Sequence, residues 1–161
     1  MTNLLETQVG RLLHERGLKL VLAESCTGGL LGSRITDVPG SSEYFLGSVV
    51  AYAYEAKADL LGVSWDTLNT KGAVSPETVL EMAKGIRSRM KADIAISVSG
   101  IAGPGGGTPE KPVGTTWIGL VARDGEWAKT FQFSGDREQN KIFAVNAALK
   151  LLLDYLQGNH I

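Results

Sequence analysis

Two short apolar runs, each emptying straight into a glycine-rich loop, constrain the fold of this chain more than any other feature. Leu18-Lys19-Leu20-Val21-Leu22-Ala23 leads into Glu24-Ser25-Cys26-Thr27-Gly28-Gly29, and Ile94-Ala95-Ile96-Ser97-Val98 leads into Ser99-Gly100-Ile101-Ala102-Gly103-Pro104-Gly105-Gly106-Gly107. Runs of this length are too short for helices and too apolar for one solvated face, so they predict buried strands. Helical spacing recurs around them. Leu5, Val9, Leu12 and Leu13 form one stripe that Gly17 is placed to end, and Leu30, Leu31 and Ile35 form another that stops at Pro39-Gly40. Ser48 to Tyr52 reads as a further strand, with short helices over Glu55–Leu61 and Ser64–Leu68. Ser75-Pro76-Glu77 opens a helix that should carry Val79, Met82, Ala83, Ile86 and Met90 inward, since serine caps the free amides and proline loses nothing at the first position. Val113–Ala122 and Trp127–Phe133 read as two strands joined through Arg123-Asp124-Gly125-Glu126. A last helix, from Glu138 to Leu156, should place Ile142, Val145, Leu149, Leu152 and Leu153 on its apolar side. This order predicts an α/β fold: a mixed sheet with helices on both faces.

The length of 161 residues suits a single domain spanning 1–161. With 16 basic against 17 acidic residues, no broad basic surface suggests a nucleic-acid partner. One cysteine, Cys26, excludes an intrachain disulfide framework and a cysteine-rich zinc module, and fits a reducing compartment. Met1-Thr2-Asn3 lacks the start of a signal peptide, and no apolar run approaches the ~20 residues of a membrane span, so the expectation is a cytoplasmic protein with no membrane partner.

The glycines, 20 in all, cluster in loops, as they must where backbone approaches a ligand. In the first loop Ser25 and Thr27 offer hydroxyls beside the unobstructed Gly28 and Gly29, at the start of a helix whose positive end suits an anion or a nucleophile. A plain helix cap is the competing reading, and Cys26 reads either as a small buried residue or as a thiol nucleophile. The second loop fits neither a P-loop nor a dinucleotide fingerprint, because position 108 is Thr and no G-K-[ST] follows. It is left as an anion-tolerant loop ahead of Lys111-Pro112-Val113-Gly114-Thr115, or a long surface turn. Tyr54 and Lys57 share a helix face. Lys57 is a solvated charge unless desolvation lowers its pKa, in which case it serves Ser25 as a general base in a serine–lysine hydrolase. Neither His14 nor His160 is placed for catalysis, and no spacing of ligands calls for a metal or cofactor. Asp136 caps the last helix, while Arg137 or Lys141 faces either solvent or a substrate phosphate.

Five segments in register resemble the CinA carboxy-terminal domain family: Ala23 to Gly29, Tyr54-Glu55-Ala56-Lys57, Gly72-Ala73-Val74-Ser75, Ser97 to Pro104 and Lys111 to Thr115. The resemblance implies a three-layer α/β/α sandwich that self-associates as a homodimer or higher homo-oligomer. It also implies hydrolysis of the amide of nicotinamide mononucleotide to nicotinate mononucleotide and ammonia, without a metal. On matching positions Ser25 is the nucleophile, Lys57 the base and Tyr54 a neighbour of that base. The turn from Cys26 through Thr27, Gly28 and Gly29 would hold the oxyanion. Gly100, Gly103, Gly105 and Gly106, with Arg137 and Lys141, would bind the pyridine nucleotide. The pyrophosphatase-like region of longer relatives is not among the matching segments, so that activity is not expected. Ile101 stands where many relatives carry threonine, and Lys141 where they carry arginine; the lysine keeps the charge but not the planar fork.

Overall fold

The computed structural model describes residues 4–161, so the Met1-Thr2-Asn3 start lies outside the described residues. Five strands form one mixed sheet: β1 (Leu20–Glu24), β2 (Phe45–Val50), β3 (Ile94–Gly100), β4 (Thr115–Ala122) and β5 (Gly125–Gln132), in the order β2-β1-β3-β4-β5. β1 is parallel to both neighbours, with Ala23 opposite Val49 on one side and Ser97 on the other, whereas β3, β4 and β5 pair antiparallel. Six α-helices cover the sheet: α1 (Leu5–Arg16), α2 (Leu30–Thr36), α3 (Tyr54–Leu61), α4 (Trp65–Lys71), α5 (Pro76–Met90) and α6 (Arg137–Gln157).

Alternation along the strands divides the core between two faces. Leu20, Leu22, Ile94, Ile96, Ile118 and Leu120 meet Val9 and Leu13 of α1, Leu31 and Ile35 of α2, and Leu149 and Leu152 of α6. Val21, Ala23, Ala95 and Val121 point the other way, under Leu61, Leu68, Met82 and Ile86 of α3, α4 and α5. The central strands are apolar throughout because both faces are covered, and each fully buried Leu or Ile contributes about 1.5–3 kcal/mol. The α/β fold with helices on both faces is therefore the observed one, in three layers.

The helix ends follow the expected chemistry. Gly17 closes α1 at φ 63, Ser75 accepts from Thr78 N–H at the start of α5, and Asp136 and Gln139 form a reciprocal capping box on α6. Four expectations shift. β2 runs over Phe45–Val50 rather than Ser48–Tyr52, which frees Ala51 and Tyr52 for a loop, and only Arg123 and Asp124 separate β4 from β5. Met90 is 43% exposed because it ends α5, where the chain turns back through Lys91. Ile142 is 41% exposed because its side of α6 overhangs a cavity instead of the core.

β1 continues into α2 on one face, whereas β2 continues into α3 on the other. Chain leaving adjacent parallel strands toward opposite faces opens a crevice at their carboxyl ends, the usual ligand position in such sheets.

Candidate active site

Ser25 is the first residue beyond β1, held in the sheet by its N–H donating to Val98 O at 2.9 Å. Gly28 N–H then donates back to Ser25 O at 3.0 Å, closing a tight turn. Gly28 and Gly29 follow at φ 59 and 101, a backbone region where a side chain is strained. The turn leaves Ser25 only 7% exposed, on the sheet face shared with Val21 and Ala23.

Lys57, from the first turn of α3, comes up on that same face and is fully buried. Its Nζ lies 2.9 Å from Ser25 Oγ, 2.9 Å from Ala51 O and 3.1 Å from Tyr52 O. Among the described residues no carboxylate is within ion-pair distance of it. Burial without a counter-charge disfavours the ammonium and pushes the amine down to about 8. The neighbours suit both protonation states. A neutral amine gives its two N–H groups to the carbonyls of Ala51 and Tyr52, which leaves the lone pair facing the Ser25 hydroxyl. An ammonium gives its third N–H to Ser25 Oγ. A proton can therefore pass between Oγ and Nζ with little rearrangement of the surrounding groups.

The rim carries positive charge. Arg137, the first residue of α6, donates to Gly103 O at 2.6 Å and to Tyr52 Oη at 2.9 Å, so it ties together the loops that follow β3 and β2. Lys141, one turn on, is half-buried with Nζ over the first turn: a Cβ at Gly28 would lie 3.9 Å from it. No hydrogen bond or ion pair engages that ammonium among the described residues. Leu30, Arg137, Glu138, Lys141 and Ile142 line a cavity of about 380 Å³, and a second of similar size lies between Arg137, Pro104, Val113 and Gly135. The chemistry this permits is nucleophilic attack by a serine on an uncharged group whose molecule also carries an anion. A family model of the CinA C-terminal domain matches residues 2–156.

This chain belongs to that family. It is 54% identical over 154 residues to a CinA-like protein of Chlorobaculum tepidum, with 92% of this chain and 36% of that protein covered. The chain spans little more than a third of the length of the curated relatives it matches. Among solved structures, the competence damage-inducible protein A of Klebsiella pneumoniae subsp. pneumoniae superposes with a TM-score of 0.92 at 40% identity, over 95% of each chain. A CinA superfamily protein from Klebsiella pneumoniae 700603 gives 0.92 at 38% identity, over 96% of each chain.

Within this CinA C-terminal domain, the residues singled out from sequence separate into groups. Ser25 and Lys57 meet, and Arg137 and Lys141 border the same crevice through Tyr52 and Gly28. Thr27 does not offer its hydroxyl to a ligand: it is fully buried and donates to Glu24 Oε1 at 2.7 Å. Cys26 is 7% exposed, and burial pushes its thiol up to about 11, which disfavours the thiolate a nucleophile needs. Gly28 N–H is taken by the turn, while the N–H groups of Cys26, Thr27 and Gly29 donate to no backbone carbonyl among the described residues. Gly100 serves packing, since a Cβ there would lie 2.5 Å from Thr116 Oγ1. Gly103 contributes its carbonyl to Arg137. Gly105 and Gly106 are exposed and make no hydrogen bond with the Ser25–Lys57 pair. Tyr54 makes none either; its ring tilts against Trp65 at 6.5 Å, and its hydroxyl lies toward Gly72.

Three further residues of the candidate site lie outside the set that the sequence singles out. Tyr52 meets Lys57 through its carbonyl and Arg137 through its hydroxyl; its signal is an aromatic residue at the end of an edge strand, and the apolar run alone places it inside that strand. Asn140 is buried, donates to Ala102 O and accepts from Gly135 N–H, so it pins the second loop to α6. Glu24, an acid closing an apolar strand, was the most legible of the three and is fully buried. Among the described residues no cluster of three or more His, Cys, Asp or Glu is placed to hold a metal ion, and no helix is long and apolar enough to cross a membrane.

Proposed function

We propose that this chain is an amidohydrolase that converts nicotinamide mononucleotide and water to nicotinate mononucleotide and ammonia by a serine–lysine mechanism. The observation that carries the reading is the buried Lys57 Nζ, 2.9 Å from Ser25 Oγ, with its amine held near 8. Ser25 Oγ attacks the carboxamide carbon as its proton passes to neutral Lys57. The negative charge on the amide oxygen is stabilised by turn amides that donate to no backbone carbonyl among the described residues, those of Thr27 and Gly29. Lys57 then returns the proton to the departing nitrogen, ammonia leaves, and the nicotinoyl group remains as an ester on Ser25. Water, deprotonated by Lys57, attacks that ester; the acid is released and Ser25 recovers its proton. Lys141, with no hydrogen-bond or ion-pair partner among the described residues, and Arg137, with donors left beyond Gly103 and Tyr52, supply the charge for the nucleotide's phosphate.

The reading carries with it a cytoplasmic, homo-oligomeric enzyme of pyridine nucleotide salvage that needs no metal. Its test is ammonia release by the purified protein from nicotinamide mononucleotide, run beside the riboside and with a chelator present. Turnover of the nucleotide in preference to the riboside, undiminished by the chelator, is expected. No ammonia from either compound at any pH up to 9 would leave a binding protein of the same fold.

A further inference from the structure

We propose that Glu24 is a positioning residue for the nucleophile, an inference that rests on the reading of Ser25 as the attacking group. Glu24 is fully buried, and no ion pair meets its carboxylate among the described residues. Four donors meet it instead. Oε1 accepts from Thr27 Oγ1 at 2.7 Å and Leu31 N–H at 2.9 Å, and Oε2 accepts from Gly32 N–H at 3.0 Å and Ser48 Oγ at 2.6 Å. Two of these are backbone amides with nothing to accept, so both oxygens must be acceptors; a carboxylate meets that demand and a carboxamide does not.

The amides of Leu31 and Gly32 lie in the first turn of α2, whose N-cap residue, Gly29, provides no side-chain cap. Glu24 therefore caps the helix from six residues before its first residue, Leu30, and the positive end of α2 offsets the cost of burying the charge. That end is engaged from within the protein and is not left open for a ligand. Gly32 is what permits the approach: a Cβ there would lie 3.3 Å from Glu24 Oε2 and 3.2 Å from Ser48 Cβ.

Glu24 also lies between the two reacting side chains in a mechanical sense. Successive strand residues face opposite sides, so with Glu24 locked toward α2 the adjacent Ser25 is presented toward Lys57. Its backbone carbonyl accepts from Ala51 N–H at 2.9 Å, and Ala51 O in turn holds Lys57 Nζ. Through Ser48 its side chain also reaches β2, the strand leading to Ala51 and Tyr52. One residue thus sets the pitch of the nucleophile turn and the seat of the base.

The test compares Glu24→Gln, Ser48→Ala and Thr27→Val with the wild-type protein. Three quantities are read: covalent labelling of Ser25 by a fluorophosphonate, followed by intact mass; kcat and KM for nicotinamide mononucleotide; and the thermal midpoint. Glu24→Gln is expected to fold yet to label about a hundredfold more slowly, with kcat falling in step and KM within about twofold, because displacement of a reacting group by an ångström costs on that order. Ser48→Ala and Thr27→Val, each lacking one bond, should fall between it and wild type. Wild-type labelling and kcat in folded Glu24→Gln would overturn the proposal. If Glu24→Gln does not fold, unchanged labelling and kcat in both of the other variants would overturn it. A wild-type protein that neither labels at Ser25 nor releases ammonia overturns the serine reading, and the positioning role falls with it. Labelled wild type with unaffected variants removes only the role of Glu24.

Discussion

The two glycine-rich loops at the carboxyl edge of the sheet share composition and position but little else. In the first, Glu24 and Thr27 are fully buried, Ser25 and Cys26 nearly so, and the side chains of Glu24, Ser25 and Thr27 are tied to protein partners. In the second, the stretch from Pro104 to Glu110 is exposed, and the loop is held at its ends, by Arg137 on Gly103 O and by Lys111 Nζ on Lys71 O. Glycines make room for backbone in both; among the described residues only the first loop has a fully buried amine, Lys57 Nζ, behind it. What is buried next to a loop, and not the loop's glycine content, distinguishes the candidate nucleophile from a plain turn.

The sharpest way to break this contrast is to remove the hydroxyl in the buried loop. Ser25→Ala should lower amide turnover by at least about 10⁴-fold, while Cys26→Ala keeps most of it, both with near wild-type thermal midpoints. The reverse pattern would move the chemistry to the thiol.

Next in size is the base. Lys57→Arg keeps a cation but cannot accept a proton, so kcat should fall by about 10³-fold. Wild-type activity should rise with pH through about 8 as the amine is freed. Stability should move in the same direction. A lysine whose folded value lies below its unfolded one binds fewer protons folded than unfolded between the two, so its penalty is complete below about 8 and is relieved as pH rises toward the ordinary lysine value. Cys26, pushed up to about 11, contributes the opposite slope once its unfolded thiol ionises. The difference in urea stability between wild type and Lys57→Met isolates the lysine contribution. Wild type should gain a few kcal/mol relative to that variant from neutral pH to pH 10, and a flat difference would show that the amine is not desolvated.

Smaller effects are expected at the rim. Lys141→Ala should raise KM for the nucleotide roughly tenfold with kcat within about twofold, and should leave weak turnover of the riboside unchanged. An equal loss on both compounds would place Lys141 in the fold and not in phosphate binding.

Smallest is the same exchange made in each loop. Gly29→Ala, at φ 101, should cost about 1–2 kcal/mol in denaturant unfolding. Gly105→Ala, where an added Cβ meets nothing within 4 Å, should stay within about 0.5 kcal/mol and leave activity unchanged. A large effect at Gly105 would mean that the second loop closes on the ligand.

Short-range pattern was enough to locate most elements of this protein. Apolar runs with covered faces became β1 and β3, Ser75-Pro76 and Asp136 opened helices, and Gly17 closed one, because caps, turns and periodicity depend on neighbours a few residues apart. Spacing alone leaves Ser25 divided between helix cap and nucleophile, and Lys57 between surface charge and base, and pairs the two only on the condition that the lysine is desolvated; the resemblance points to the same pair. The tertiary structure decided what each is physically. Lys57 is a base candidate because α3 packs it against the ends of β1 and β2, where it loses water and gains two carbonyls from residues 51 and 52. Tyr54, three residues away on the same helix, turns to Trp65, while Tyr52 takes the place beside both Lys57 and Arg137. Thr27 looked free in sequence and is occupied by Glu24. Desolvation and hydrogen-bond partners depend on residues distant in the chain and adjacent in space, so the assignment of these polar groups waits for the fold, whereas the strands and helices that carry them do not.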